Sequence, residues 1–301
     1  MPKLVTLFLI FSAVLLTPNS AISQTGKTTE NRNKTTFMPE NDLDKEDGLF
    51  DNGMTQYEFD RVIESIEKYY IPIVKNFGAT LIVNRKWTDP TVNAQAYQNG
   101  NKWYVDMFGG LARRPEITSD GFAMVLCHEI GHHIAGFPFV DTWASDEGQS
   151  DYFALHGCAK VAWANDDNVV EEIDPVAKSL CDNNLYPEQS ASLCYREMNA
   201  GLSTATLLGA LGGERVSFST TDKKIVSRTS HTHPNAQCRL DTYVAGTLCY
   251  AKWSNSVIPQ SESESKSYLC YNKSTSKYDI QARPRCWFKP IKYSALTKTQ
   301  R

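Results

Sequence analysis

The sequence predicts an α+β protein, mainly helical, with a small antiparallel sheet beside one apolar helix. Three observations predict it. Apolar residues recur at helical spacing from Thr55 to Phe77 and again after Asp151, while alternating strand patterns cluster between Thr80 and Met107. Gln98-Asn99-Gly100-Asn101 is a strong hairpin signal joining two of those strands. Finally, His128-Glu129-Ile130-Gly131-His132 sits in an apolar stretch bounded by a helix start and a helix stop.

Taken in order, Leu4 to Leu16 is a predominantly apolar run of thirteen residues after Lys3 and before Thr17-Pro18-Asn19. It is short for a bilayer span and suits a signal-peptide core, with Ala21-Ile22-Ser23 as the cleavage site and Gln24 as the mature start. An uncleaved N-terminal anchor is the alternative; a lipid anchor is disfavoured, because no cysteine follows the run. Residues 24–53 are polar and read as a flexible leader. Phe59, Val62, Ile63, Ile66, Tyr69, Tyr70 and Ile73 predict a helix that Pro72 kinks or ends. Strands follow at Thr80–Val83, Val92–Tyr97 and Lys102–Met107.

Thr118-Ser119-Asp120 caps the next helix, and Gly136 with Pro138 stops it. Phe122, Val125, Leu126, Ile130 and Ile134 supply its packing positions. A second helix begins at Glu147 and runs through Ala154, Val161 and Ala162, and Asn165-Asp166-Asp167-Asn168 breaks the pattern. Leu202–Leu211 is a packed helix ending at Gly212-Gly213, and Pro234–Val244 is a short closing helix. Ser261 to Ser267 reads as a solvated linker. Residues 54–253 thus form the main domain, and 254–301 a linker with a disulfide-stapled appendage.

The net charge is −3, and loss of Lys3 with the signal takes it to −4. No basic stripe occurs, so a nucleic-acid partner is not expected. Eight cysteines suit an oxidising compartment, which implies an exported protein, periplasmic or secreted. Neighbouring pairs such as Cys181 with Cys194 and Cys270 with Cys286 are the expected bridges. No Cys-x-x-Cys occurs, so a cysteine-ligated metal is not expected. No long repeat is present, which excludes solenoids and propellers.

His128 and His132, four apart on a helix, share one face and can reach one metal ion. Glu129 between them can take a proton from a water that the ion polarises. A catalytic site of this kind needs a third protein ligand and an open position. Glu147 is the leading candidate, in the first turn of its helix where the dipole favours an ionised carboxylate; Asp146, Asp151, Glu171 and Glu172 are rivals. Asp151 suits a partner that holds a ligand histidine by its other ring nitrogen. Further on, His233 and Arg239 in Ser230-His231-Thr232-His233-Pro234-Asn235-Ala236-Gln237-Cys238-Arg239 can stabilise a developing oxyanion. His133 and His156 are given no ligand role.

Together these segments resemble the zinc metallopeptidases of the HtpX and CAAX prenyl endopeptidase type, a gluzincin family. The resemblance runs from about Thr80 to Tyr243. Val92-Asn93-Ala94-Gln95-Ala96 looks like the family's Asn-Ala segment, and Phe108-Gly109-Gly110-Leu111 like the step before its active-site helix. His128, Glu129 and His132 match its two ligands and general base, Glu147 and Asp151 its Glu-x-x-x-Asp pair, and His233-Pro234 with Arg239 its late His-Pro segment. The gap of fifteen residues between His132 and Glu147 is shorter than is common in the family. The spanning helices of its membrane members are missing after the first residues.

The resemblance implies a zincin-like domain, one Zn2+ per chain, and metalloendopeptidase activity on exported or unfolded proteins. It also implies that substrate pairs with an exposed edge strand, expected at Lys102–Met107. A cell-envelope, chaperone-like peptide binder that keeps the metal but cleaves little is the alternative.

Overall fold

A computed structural model describes residues 34–46, 53–185, 189–271 and 279–291; the expected signal peptide lies outside them. The chain begins with strand β1 (Lys34–Thr36) and helix α1 (Gln56–Asn76), followed by strands β2 (Thr80–Lys86), β3 (Ala94–Asn99) and β4 (Lys102–Phe108). Helices α2 (Gly109–Ala112), α3 (Ser119–Ile134) and α4 (Glu147–Phe153) come next. Helix α4 passes through a π-helical turn, Ala154–Ala159, into α5 (Lys160–Ala162). Helices α6 (Pro175–Asn184), α7 (Ala191–Gly212), α8 (Ala236–Leu248) and α9 (Glu262–Ser265) complete it. The mixed architecture agrees with the α+β expectation.

Helix α1 starts at a capping box in which the Thr55 hydroxyl accepts from the Glu58 N–H and Glu58 accepts from the Thr55 N–H. Its buried stripe, Phe59, Ile63, Ile66, Tyr70 and Val74, keeps helical spacing past Pro72. The helix therefore does not end there as expected. Lys68, Ile71 and Pro72 are exposed, so water can satisfy the Lys68 carbonyl that the proline leaves unpaired.

The sheet order is β1-β3-β4-β2, antiparallel except for the parallel pair β2–β4. It is therefore mixed rather than purely antiparallel. The 87–93 connection carries the chain two strand positions from β2, and the hairpin returns β4 into the gap between. Gly100, at φ 60° and first of the two turn residues, allows that type II′ return. Two further expectations are corrected here. Lys34–Thr36, read as flexible leader, is an edge strand, followed by the fully buried Phe37 and Met38. Lys102–Met107, expected at the edge, is internal, because both its neighbours are paired.

Helix α3 crosses the core between the sheet, α1 and α7, and Gly121 through Ile134 are all buried. Thr118 caps it by accepting from the Gly121 N–H, and Gly136 at φ 74° ends it, as the sequence implied. Disulfides join Cys127 to Cys158, Cys181 to Cys194, Cys238 to Cys286, and Cys249 to Cys270. The expected Cys181–Cys194 bridge is present; the expected Cys270–Cys286 bridge is not, because each of those cysteines reaches back to an end of α8. The C-terminal segment is accordingly no appendage. Trp287 is fully buried and donates its indole N–H to Thr242 Oγ1 at 3.0 Å, while a Cβ on Gly148 would fall 2.2 Å from its ring. Within the expected linker, Glu262–Ser265 forms a helical turn, and Glu262 accepts from the Ile291 N–H.

Candidate metal centre

Helix α3 presents His128 and His132 one turn apart, and their Nε2 atoms lie 3.1 Å from one another. Glu147, at the start of α4, places Oε2 3.3 Å from His128 Nε2 and Oε1 3.6 Å from His132 Nε2. Close packing of the two helices makes this possible. A Cβ on Gly131, inside the motif, would meet Phe153 Cδ1 at 3.0 Å and Ser150 Cα at 3.1 Å. His128, Glu129 and His132 also group their ligand atoms within 4.8 Å, so this cluster could hold a metal ion.

The outer ring nitrogens fix what the inner ones offer. His132 Nδ1 lies 2.8 Å from the Ser145 carbonyl, which can only accept, so Nδ1 carries the hydrogen. His128 Nδ1 lies 2.8 Å from Asp151 Oδ1 and donates likewise. Both Nε2 lone pairs are thereby aimed at one point. Ligand atoms about 2 Å from a tetrahedral ion sit roughly 3.3 Å apart, which is the spacing seen.

Burial and neighbouring charges set the protonation of the group before any ion binds. Burial opposes charge on His128, yet the bonded Asp151 carboxylate outweighs it and pushes the imidazole up to about 9. For His132 burial dominates and lowers it to about 4. Burial would raise Glu147, but the facing His132, His233 and His128 hold its carboxyl well below the usual range. Glu129 is fully buried and burial pushes it up to about 8. Both Glu129 oxygens and Glu147 Oε2 lack any hydrogen-bond partner. Buried carboxylate oxygens left this way are costly and call for an ion or ordered water. The donor set of two imidazoles and a carboxylate fits such an ion.

Asp151 is the hub behind His128. It accepts from Arg239 Nε at 2.8 Å, Arg239 Nη2 at 2.6 Å and the Tyr243 hydroxyl at 3.0 Å. The oxyanion role expected for Arg239 is therefore corrected. Its guanidinium is spent on Asp151 and on the Phe37 carbonyl, behind His128 rather than beside the Nε2 atoms. His233 does reach the centre: Nε2 lies 3.5 Å from Glu147 Oε2 and donates to the Thr36 carbonyl at 2.7 Å.

The rivals for third ligand are placed elsewhere. Asp146 turns to His231 at 2.8 Å, Asp151 holds His128, and Glu171 and Glu172 are exposed. His133 stacks between Trp103 and Trp143, and His156 bonds the Tyr268 carbonyl. Asp222, Cys238 and Cys286 also lie close together, but both cysteines are in a disulfide and cannot ligate as thiolates.

Sequence reasoning missed Tyr243, although its position four residues after Arg239 on α8 put both on one face. It also missed Thr36 and Phe37, for which no local signal exists. Comparison with protein-family models, with curated proteins and with solved structures finds no match.

Proposed function

We propose that this chain is a zinc-dependent endopeptidase of zincin-like fold, akin to the HtpX type, that hydrolyses peptide bonds in exported or unfolded proteins. The convergence of His128 Nε2, His132 Nε2 and the two Glu147 carboxylate oxygens at 3.1 to 3.6 Å, beside an unpartnered Glu129 carboxylate, carries the reading. His128, His132 and Glu147 would hold one Zn2+. Bound there, zinc supplies Lewis acidity, making water nucleophilic at neutral pH and polarising a carbonyl.

The chain's own groups do the rest. Glu129 accepts the proton of the attacking water at its carboxylate and passes it to the leaving amine nitrogen. His233 donates a hydrogen bond to the carbonyl oxygen as negative charge develops on it. Asp151, steadied by Arg239 and Tyr243, holds His128 in the tautomer that ligates. Four disulfides, and the lack among the described residues of a helix long and apolar enough to cross a membrane, accord with export.

Glu129→Gln should keep one zinc per chain by elemental analysis and lower casein digestion at least about a hundredfold, the scale of a lost general base. Unchanged digestion would remove the assignment. The hydrogen bonds that already hold residues 36–38 at the centre favour one second reading, a peptide binder with little turnover. Casein left whole with zinc bound would select it.

A further inference from the structure

The segment Lys34–Met38 lies across the candidate centre in the manner of a bound peptide. Lys34–Thr36 pairs antiparallel with β3, and the Phe37 N–H donates to the Ala94 carbonyl at 3.0 Å. Met38 donates its N–H to Asn93 Oδ1 and accepts from Asn93 Nδ2, each at 3.0 Å. In an antiparallel pair alternate residues turn their main-chain groups away from the partner. Since Phe37 faces Ala94, Thr36 is turned outward. Its carbonyl accepts from His233 Nε2, which lies 3.5 Å from Glu147 Oε2.

The following carbonyl, of Phe37, accepts from Arg239 Nη1 at 2.6 Å. The Phe37 ring is fully buried, edge-on to His128 with centroids 5.2 Å apart and 4.4 Å from the Arg239 guanidinium carbon. One carbonyl thus meets the candidate oxyanion donor, the next is clamped, and the side chain between them fills a closed pocket against a ligand imidazole.

We propose that Lys34–Met38 is an intramolecular substrate strand and that the Thr36–Phe37 peptide bond is the chain's own processing site. This rests on the hydrolase reading above. Water adds across the bond: its oxygen joins the Thr36 carbonyl carbon and the bond to the Phe37 nitrogen breaks. Glu129 carries one proton of that water to the Phe37 nitrogen, and the new Thr36 acid releases its proton to solvent. The same contacts define a substrate class. It is an extended segment that pairs with the outer edge of β3 and bears an aromatic or large apolar residue after the cut bond. Strand β3, not β4, is then the peptide-binding edge, and the tethered strand keeps it covered until the cut frees it to exchange.

The test uses the full chain and its Glu129→Gln variant, each with added zinc and with chelator, followed by intact mass and N-terminal sequencing. A new N-terminus at Phe37 is expected in the zinc-loaded parent, at least tenfold less abundant in the variant and under chelator. A second arm needs no turnover: in the zinc-free chain, the Phe37 and Met38 amides should exchange hydrogen as slowly as those of β3. Fast exchange there overturns the proposal. So does a chain that digests casein while its own Thr36–Phe37 bond stays whole, or one cut equally in the variant; the casein result leaves the hydrolase reading standing. Zinc-loaded protein that cuts neither casein nor itself removes both together.

Discussion

His128 Nε2 and His132 Nε2 face each other across 3.1 Å, a spacing at which they either share a hydrogen or hold a cation together. What forces the arrangement is Asp151, an ionised carboxylate with no exposure that fixes the hydrogen of His128 on the outer nitrogen. Burial alone would raise its pKa, but Arg239 and His128 outweigh that and keep it charged. Asp151→Asn keeps the shape and loses the charge. It should weaken zinc binding about 10- to 100-fold, measured by competition with a chromophoric chelator, as is usual for partners that orient a ligand. Unaltered affinity would show that the tautomer is set by something else. The variant should also melt lower, since Arg239 is left buried without its counter-charge. At this scale the sequence was highly legible. His128, Glu129 and His132 form one set of spacings of one to four residues, and Glu147 and Asp151 another, which a helix converts directly into shared faces; that the two sets meet is set by the packing of α3 on α4.

Between elements, the centre depends on how near α3 and α4 come. Gly131 sets that approach, because any larger residue there meets Phe153 and the Ser150 backbone. Gly131→Ala should cost about 1–3 kcal/mol, the usual range for overpacking, read as a lower urea midpoint at unchanged slope. Loss of zinc should accompany it, as Glu147 is pushed away from the histidines. A midpoint equal to the parent's would mean that the helices have slack. Element boundaries were legible where local chemistry marks them, as at Thr55, Thr118 and Gly136. Pairing was not. Nothing in Lys102–Met107 says whether another strand lies beyond it, and a three-residue strand such as Lys34–Thr36 carries too few residues to show a pattern. Arg239 was found by motif, but its direction depends on Asp151 and Phe37, contacts 88 and 202 residues away in the chain.

Across the whole molecule, the disulfides link segments that the hydrophobic pattern leaves independent. Cys238–Cys286 spans 48 residues and fastens the segment carrying Trp287 to the start of α8, the helix of Arg239 and Tyr243. Replacing both cysteines by alanine should lower stability by about 2–5 kcal/mol, measured by thermal or urea unfolding. Zinc affinity should fall with it, because Trp287 packs against Gly148, next to Glu147. An intact affinity in the unbridged protein would separate the staple from the centre. Bridge partners were only half legible: Cys181 and Cys194 are sequence neighbours, whereas the cysteines at either end of α8 are matched by the tertiary fold alone.

Thr36 and His233 meet across 197 positions, and Trp287 packs against Gly148, the residue after Glu147. A growing polypeptide thus owns His128, Glu129 and His132 long before it owns His233 and Trp287. Any chemistry at the centre would be withheld from nascent fragments that stop short of Trp287 and of the oxidised Cys238–Cys286 pair.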